Sequence, residues 1–336
     1  MITASPSARL SRPASDWREL WRNAITDPVE LLQAVGLGDR TDLLPPDDAG
    51  FALRVPRGFV ARMRRGDPLD PLLLQVLPQR SEHDQVDGYT IDAVGDIAAS
   101  TGHGLLHKYD GRALLIASGS CVVNCRYCFR RHFPYGEEIA AASHWREALA
   151  RLRADPSIRE VILSGGDPLA LATHKLEELT RGLAELPQVI RLRIHSRLPI
   201  VLPERIDDAF VAWLAQLPLQ KVVVLHANHA NELDAGVDAA CARLRAAGAS
   251  LLNQSVLLRG VNDDAETLAN LSERLFAAGV LPYYLHQLDR VQGTAHFEVG
   301  DDTALELQQA LRSRLPGYLV PRLVREVPGE LAKRPL

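Results

Sequence analysis

The chain has 336 residues, of which 46% are hydrophobic and 24% charged, and its formal net charge is −4. This composition is typical of a folded globular protein and excludes extensive disorder, and the weak negative charge is unlike the basic surface of a nucleic-acid-binding protein. No run of about 18 apolar residues occurs, and the polar N-terminus lacks the apolar centre of a signal peptide. We therefore expect a cytoplasmic protein with neither a nucleic acid nor a membrane as partner.

The first hundred residues differ in pattern from the rest of the chain. Residues 17–37 have the apolar spacing of a helix, and residues 67–78 are interrupted by prolines. We interpret residues 1–105 as a helical N-terminal extension that packs on the domain that follows it.

From about residue 112, apolar runs alternate with segments of helical period. The runs are rich in β-branched residues and almost continuously apolar, as in parallel strands buried on both faces. Six strand–helix units predict a parallel sheet with right-handed crossovers, in either an open doubly wound sheet or a barrel. An eight-unit barrel is disfavoured because only six units are visible. The predicted strands are residues 113–117, 160–164, 189–195, 221–226, 250–258 and 281–287.

The helices between these strands are predicted from apolar residues three or four positions apart. Asp263 and Glu266 are expected to cap the N-terminus of one helix, and Gly248 and Gly279 to end two helices. The apolar faces that support the prediction are Trp145, Leu149 and Leu152; Leu176, Leu179 and Leu183; and Leu268, Leu271 and Leu275.

Polar side chains cluster where each predicted strand ends. The carboxyl ends of parallel strands meet at one edge or mouth, where the active sites of α/β enzymes lie. The pattern therefore indicates an enzyme with an extended site. The clusters are Ser118, Ser120 and Cys121; Ser164 to Asp167; His195, Ser196 and Arg197; His226, Asn228 and His229; Asn253, Gln254 and Ser255; and His286, Gln287 and Asp289.

Three of the four cysteines lie within eight residues, at Cys121, Cys125 and Cys128. Such a tight cluster in a large chain favours ligation over a disulfide framework. Three thiolates can hold a cubane iron–sulfur cluster and leave one iron open to a small molecule. The alternatives are a structural zinc, which needs a fourth ligand, and coincidence. Cys241 has helical spacing with apolar neighbours and is expected to be a core thiol.

This C-x3-C-x2-C spacing after the first parallel strand resembles the signature of radical S-adenosylmethionine enzymes. The resemblance implies an α/β fold, a partial (β/α)6 barrel over residues 106–318, and a [4Fe-4S] cluster whose open iron binds S-adenosylmethionine. The reduced cluster would cleave that sulfonium to a 5′-deoxyadenosyl radical. Gly165, Gly166 and Asp167 resemble the family's motif for the methionyl amine. His195 and Gln254, facing the predicted mouth, are further candidate contacts of S-adenosylmethionine.

Four segments are similar to the lysine 2,3-aminomutases, which also use pyridoxal 5′-phosphate to carry the migrating amine. The chain has only four lysines for the Schiff base that this cofactor needs. The resemblance assigns that role to Lys333, in a C-terminal segment of residues 319–336, and the cofactor phosphate to Arg112. The segments are residues 121–131, 193–205 (RIHSRLPIVLPER), 253–263 (NQSVLLRGVND) and 282–297 (PYYLHQLDRVQGTAHF).

Substrate residues follow from the same resemblance. Arg130 matches the arginine that binds the substrate carboxylate, although Arg131 beside it could be confused with it. Asp289 and Glu326 match the two acids around the ε-ammonium of lysine, with glutamate where the longer enzymes have aspartate. Because two carboxylates would repel an acidic substrate, a cationic amino acid is preferred.

The chain stops shortly after Lys333, and so resembles the short bacterial aminomutases that make (R)-β-lysine for elongation factor P. An external one-electron reductant is implied. One alternative is a radical S-adenosylmethionine enzyme that acts on another cationic amino acid, and another is an iron–sulfur redox carrier. His226 and His229 form an H-x2-H pair, for which polar lining is favoured over a second metal.

Overall fold

The computed structural model describes residues 16–45, 50–97, 99, 104–135 and 144–336. Its centre is one nine-stranded sheet in which the strands follow one another in chain order. Strands β2 to β8 are parallel, and the antiparallel strands β1 and β9 flank them. The strands are β1 Leu105–Tyr109, β2 Arg112–Ser118, β3 Glu160–Gly165, β4 Arg191–Ser196, β5 Gln220–Leu225, β6 Ala249–Val256, β7 Leu281–His286, β8 Arg322–Arg325 and β9 Arg334–Pro335.

Helices connect the parallel strands, one crossover after another. The described α-helices are α1 Trp17–Arg22, α2 Pro28–Ala34, α3 Arg57–Val60, α4 Pro71–Leu74, α5 His144–Ala154, α6 Thr173–Ala184, α7 Leu198–Val201, α8 Asp208–Gln216, α9 Ala235–Ala246, α10 Ala265–Ala277 and α11 Asp301–Arg314. Within the described ranges, no helix combines the length and apolar composition needed to cross a bilayer.

The six predicted strands are confirmed as β2 to β7, and the sheet stays open, as in a partial (β/α)6 barrel. Pairing between β4 and β5 runs without a break from Arg191 opposite Gln220 to Ser196 opposite Leu225. All carboxyl ends of the parallel strands therefore lie at one mouth. Strands β1, β8 and β9 were not predicted.

Side chains bridge the gap between the first and last strands of this open sheet. The hydroxyl of Tyr109 on β1 donates to Glu326, which follows β8, over 2.5 Å. The ammonium of Lys108, also on β1, lies 3.9 Å from the same carboxylate. We call this gap the seam.

The N-terminal segment packs into the same hydrophobic core as the barrel. Trp17, Leu31, Phe59 and Leu72 are buried in one cluster with the inner residues of β3 and β4. The predicted single helix over residues 17–37 is instead two helices. Asp27 caps α2, and Pro28 at its first turn fixes a new start.

Two glycine caps are confirmed, whereas the aspartate cap is one residue later than predicted. Gly248 and Gly279 follow α9 and α10 with φ of 84° and 75°, the left-handed conformation that ends helices. Asp264 caps α10 by accepting from the amide of Thr267 at 2.9 Å. Asp263 instead accepts from the amide of Gly260 in the preceding turn. Cys241 is fully buried in the core, as predicted.

Candidate active site

The loop of residues 119–128 follows β2 at the mouth and carries three half-buried free thiols, Cys121, Cys125 and Cys128. Burial and the neighbouring thiol of Cys125 raise the pKa of Cys128 to about 11. Burial likewise raises the pKa of Cys121. Bound iron reverses this preference, because a metal ion stabilises the thiolate. In the part of the chain that the structure describes, no three His, Cys, Asp or Glu side chains are grouped to hold a single metal ion.

Two glycines allow the end of β3 to lie against this cysteine loop. A Cβ on Gly165 would lie 2.5 Å from the carbonyl oxygen of Ser118, and one on Gly166 would lie 2.6 Å from that of Ser120. The amide of Gly166 donates to Ser118 at 2.7 Å. The sequence suggested that these glycines admit a ligand; the structure shows that they first admit the loop's own backbone. Their contact with S-adenosylmethionine stays a prediction.

The carboxylate of Asp167 is occupied by donors from the ends of β3 and β4. It accepts from the Ser196 hydroxyl at 2.7 Å and from the amide of Arg197 at 2.8 Å. It also accepts from the amides of Leu169 and Leu198. Burial raises the pKa of Asp167. The side chain thus joins two strand ends, and a direct contact with S-adenosylmethionine stays a prediction.

Three histidines at or next to the carboxyl ends of β4, β5 and β7 have buried Nε2 atoms with no hydrogen-bond partner among the described residues: His195, His226 and His286. Burial lowers the pKa of His226 to about 3 and keeps the other two far below their usual range. Burial therefore favours the neutral form of each imidazole. Buried polar atoms are rarely left unpaired, so these nitrogens are available for hydrogen bonds to a bound molecule.

Gln254 is half-buried on β6 and lies opposite Tyr284 of β7 in the sheet register. Its neighbours Asn253 and Ser255 point to the other face, where both bind the backbone of Ala227. The polar run at this strand end therefore divides between the two faces of the strand. Contact between Gln254 and S-adenosylmethionine stays a prediction.

The adjacent side chains of Arg130 and Arg131 have different hydrogen-bond partners in the structure. Arg130 is buried beneath the mouth, where its Nε donates to Asp96 at 2.6 Å and its Nη1 to the hydroxyl of Ser164 at 2.9 Å. Arg131 turns away and donates to Glu82 at 2.7 Å. Of the two, only Arg130 is placed among the strand ends.

The seam holds a group of alternating charges. Lys333, in the turn before β9, donates to the carboxylate of Glu326, which also accepts from Tyr109. Although burial acts to raise it, the Lys333 ammonium and these hydrogen bonds keep the pKa of Glu326 below its usual value. Burial raises the pKa of Asp289 to about 7, against the opposing effect of the same ammonium. We call Asp289 and Glu326 the acid pair.

Arg112 lies beside the acid pair at the amino end of β2. Its guanidinium stacks 4.7 Å above the ring of Tyr109, whose hydroxyl binds Glu326. Its Nε is buried without a hydrogen-bond partner. Among the described residues, a cation whose Nε has no hydrogen-bond partner therefore lies one side chain away from the carboxylate that holds Lys333.

Comparison with known proteins identifies the family. Residues 115–271 match the model of the radical SAM superfamily. L-Lysine 2,3-aminomutase from Escherichia coli (strain K12) is 51% identical over 323 residues, which are 96% of this chain and 94% of that protein. The chain belongs to the lysine 2,3-aminomutase family. The enzyme of that name from Haemophilus influenzae is 46% identical, covering 97% of this chain and 96% of the relative. That from Clostridium subterminale is 33% identical over 96% of this chain but 78% of the relative, which places this chain with the short bacterial form.

As a lysine 2,3-aminomutase family member, the protein is an isomerase that works with a [4Fe-4S] cluster, S-adenosylmethionine and pyridoxal 5′-phosphate. Its residues fit these groups. The three thiols offer a cluster the soft donors that iron prefers. The unpaired imidazole nitrogens and the unpaired Arg112 offer polar contacts to the two organic cofactors.

Of the three lysines other than Lys333, only Lys108 lies near the site. Lys221 lies at the amino end of β5, and Lys175 is exposed and paired with Glu178 on α6. Lys108 is an unexpected neighbour of the site, because the unpredicted strand β1 carries it into the seam. Its ammonium lies 2.5 Å from Asp96.

His229 lies outside this arrangement. Its Nδ1 accepts from the amide of Asn231 and caps a short turn after β5. His226 instead lies against the ring of His195, with ring centroids 5.8 Å apart.

Sequence reasoning missed the N-terminal residues that hold the site's arginines. Asp96 binds Arg130, and Glu82 binds both Arg126 and Arg131. No local pattern marks these acids, because their partners lie 34 to 49 residues away along the chain. Gln75 and Glu232, which form a further buried group with Arg197 beside Cys125, were missed as well, and Arg197 was predicted only as one of the polar residues at the end of its strand.

Proposed function

We propose that the protein is an L-lysine 2,3-aminomutase that converts (S)-α-lysine into (R)-β-lysine. The observation that carries the proposal is the seam. There Glu326 already holds a lysine ε-ammonium, that of Lys333, with Asp289 beside it. A site that accommodates this ammonium can accommodate the same group of a lysine substrate.

The two ends of the substrate are assigned by charge. Arg130 would bind the α-carboxylate through Nη2, since Asp96 and Ser164 take its Nε and Nη1. The acid pair would bind the ε-ammonium and disfavour an acidic substrate by repulsion. Asp96 orients the guanidinium and balances its charge.

Three residue sets would hold the cofactors. Cys121, Cys125 and Cys128 would ligate the cluster, Lys333 would link pyridoxal phosphate, and Arg112 would bind its phosphate. Gly165, Gly166, Asp167, His195 and Gln254 are the proposed surroundings of S-adenosylmethionine. When bound, the cluster and S-adenosylmethionine supply the 5′-deoxyadenosyl radical, and pyridoxal phosphate carries the amine. The residues themselves fix both substrate ends, so that one carbon–hydrogen bond faces the radical.

We further propose that the product serves modification of elongation factor P in the cytoplasm, and that an external one-electron reductant supplies the cluster. No nucleic acid or membrane partner is proposed. Similarity to the short bacterial form supports the first proposal. The proposed division is residues 1–105, 106–318 and 319–336. The core that described residues between Trp17 and Leu77 share with the barrel supports packing of the first part on the second.

Anaerobic incubation of the reconstituted protein with S-adenosylmethionine, dithionite and (S)-lysine tests the central proposal. Chiral analysis should find (R)-β-lysine. If the protein turns over another cationic amino acid but not lysine, that amino acid is the substrate and the assignment of lysine is wrong. A cluster whose spectrum does not respond to S-adenosylmethionine would favour the redox carrier. Purified elongation factor P from cells without the enzyme should lack the mass of β-lysine.

Asp289→Asn should lower kcat/KM for lysine more than tenfold, a loss of about 1.4 kcal/mol in transition-state binding. The variant keeps the size of the side chain but leaves the ε-ammonium with one acid in a poorly solvated place. Glu326→Gln should also lower kcat/KM for lysine, and it removes the carboxylate to which Lys333 donates. Asp208→Asn is the control, since that side chain is 98% exposed. Unchanged lysine turnover in both site variants would remove the reason for choosing lysine.

The raised pKa of Asp289, about 7, predicts a pH dependence. Only the carboxylate attracts an ammonium, and its fraction grows as pH rises through the pKa. The kcat/KM for lysine should therefore rise between about pH 6 and 8 and then level off. The profile of Asp289→Asn should lack this rise. The same rise in both proteins would assign it to another group.

A further inference from the structure

Arg197, at the end of β4, is buried against the cysteine loop with 5% of its surface exposed. Its Nη1 lies 2.7 Å from the sulfur of Cys125 and 2.5 Å from the hydroxyl of Tyr127. Its amide is held by the carboxylate of Asp167. Both the backbone and the side chain of Arg197 are therefore fixed. Its Nη1 donates toward the sulfur of Cys125, a proposed ligand of the cluster.

A buried acid faces the other side of this guanidinium. Nη2 of Arg197 donates to Glu232 at 3.0 Å and to Gln75 at 2.7 Å. Glu232 is fully buried, and its second oxygen accepts from the amides of Asn228 and His229. The positively charged guanidinium of Arg197 therefore contacts the sulfur of Cys125. The carboxylate of Glu232 lies on the opposite side of that guanidinium.

We propose that Arg197 and Glu232 together set the reduction potential of the cluster: the arginine raises it and the glutamate lowers it. The proposal rests on the ligation of the cluster by Cys125. Hydrogen bonds to ligand sulfurs, net charge and exclusion of solvent are the features by which proteins adjust such potentials. The described hydrogen bonds of the two side chains are to each other, to Gln75, Cys125 and Tyr127 and to the backbone of residues 228 and 229.

The direction follows from charge. The cluster takes one electron from the external reductant, which loses one, and no bond in the chain forms or breaks. Reduction makes the cluster and its three thiolates more negative. A nearby cation favours the reduced form, and a nearby anion disfavours it.

An EPR-monitored redox titration of the reconstituted protein tests this with two variants of opposite sign. Arg197→Gln should reduce the ratio of reduced to oxidised cluster at a fixed potential by about tenfold, which for one electron is a shift of about 59 mV to more negative potential. Glu232→Gln should shift the potential to more positive values. Arg197→Lys should restore much of the loss. Arg243→Gln, which removes the same charge from a solvent-exposed pair with Asp208, is the matched control.

Opposite shifts in the two variants, with the control unchanged, support the proposal, since a general loosening of the fold would not change sign. Equal potentials in all variants, or shifts of one sign, would overturn it. If Arg197→Gln does not load iron, the reduction potential of Glu232→Gln tests the proposal alone: a positive shift supports it, and no shift or a negative shift overturns it. Iron and sulfide contents separate this result from failure of the proposed function: full contents in Cys125→Ala would refute the ligation itself.

Discussion

Cys125→Ala should lose the iron–sulfur cluster and reduce aminomutase turnover to background. Two thiolates hold a cubane poorly, and the substitution also leaves the Nη1 of Arg197 facing a methyl group instead of a sulfur. Iron and sulfide analysis together with the absorption near 400 nm after anaerobic reconstitution gives the readout.

Cys241→Ala is the matched control for this prediction. Its thiol is fully buried on α9, within the core and away from the cysteine loop, so iron content should stay at the level of the unchanged protein. Loss of iron in both variants would indicate a folding defect. Full iron in Cys125→Ala would instead show that another group completes the ligand set.

Lys333→Ala should retain the cluster and cleave S-adenosylmethionine slowly, yet form no product. The variant removes the amine that is proposed to hold pyridoxal phosphate, whereas the cysteine loop at the mouth is untouched. Borohydride reduction followed by peptide mass spectrometry should find the pyridoxyl label on Lys333 in the unchanged protein and no label in the variant.

Lys108 provides the stringent comparison, because its ammonium also lies in the seam, 3.9 Å from Glu326. Lys108→Ala should keep the label on Lys333. Lys175→Ala, an exposed substitution on α6, should behave as the unchanged protein. A label found on Lys108 would show that the wrong lysine of the seam was chosen.

The parallel strands could be predicted because their pattern is local. Each of β2 to β7 is a short apolar run bounded by turn residues, and burial on both faces makes the run nearly continuous. Strands β1, β8 and β9 lack this pattern because they lie at the ends of the sheet. Arg322 and Arg334 are exposed there, so these strands have no continuous apolar run. They form strands because they pair with a neighbouring strand, which their own sequence does not reveal.

The cysteines could be predicted for the same reason, since all three lie in one loop. The choice between Arg130 and Arg131 could not be made from spacing. The two residues are adjacent, and only their distant partners, Asp96 and Glu82, separate them. The Gly165–Gly166 pair was predicted to contact S-adenosylmethionine, which stays a prediction; the close approach that the structure shows there is that of the backbone of residues 118–120.

The N-terminal segment gives the molecule an order of assembly during synthesis. Gln75 and Glu82 leave the ribosome before their long-range partners, and Gln75 must wait for Glu232, 157 residues later. Arg62 likewise binds the carbonyl of Ile200, 138 residues on. Contacts of such separation form late, because long loops must close first. Until then the segment carries polar groups whose burial is compensated only in the finished barrel, where breaking a buried ion pair costs about 3–5 kcal/mol. We therefore expect these contacts of the N-terminal segment to form late in folding, and the cysteine loop to gain the support of Glu232 only after the fifth strand has emerged.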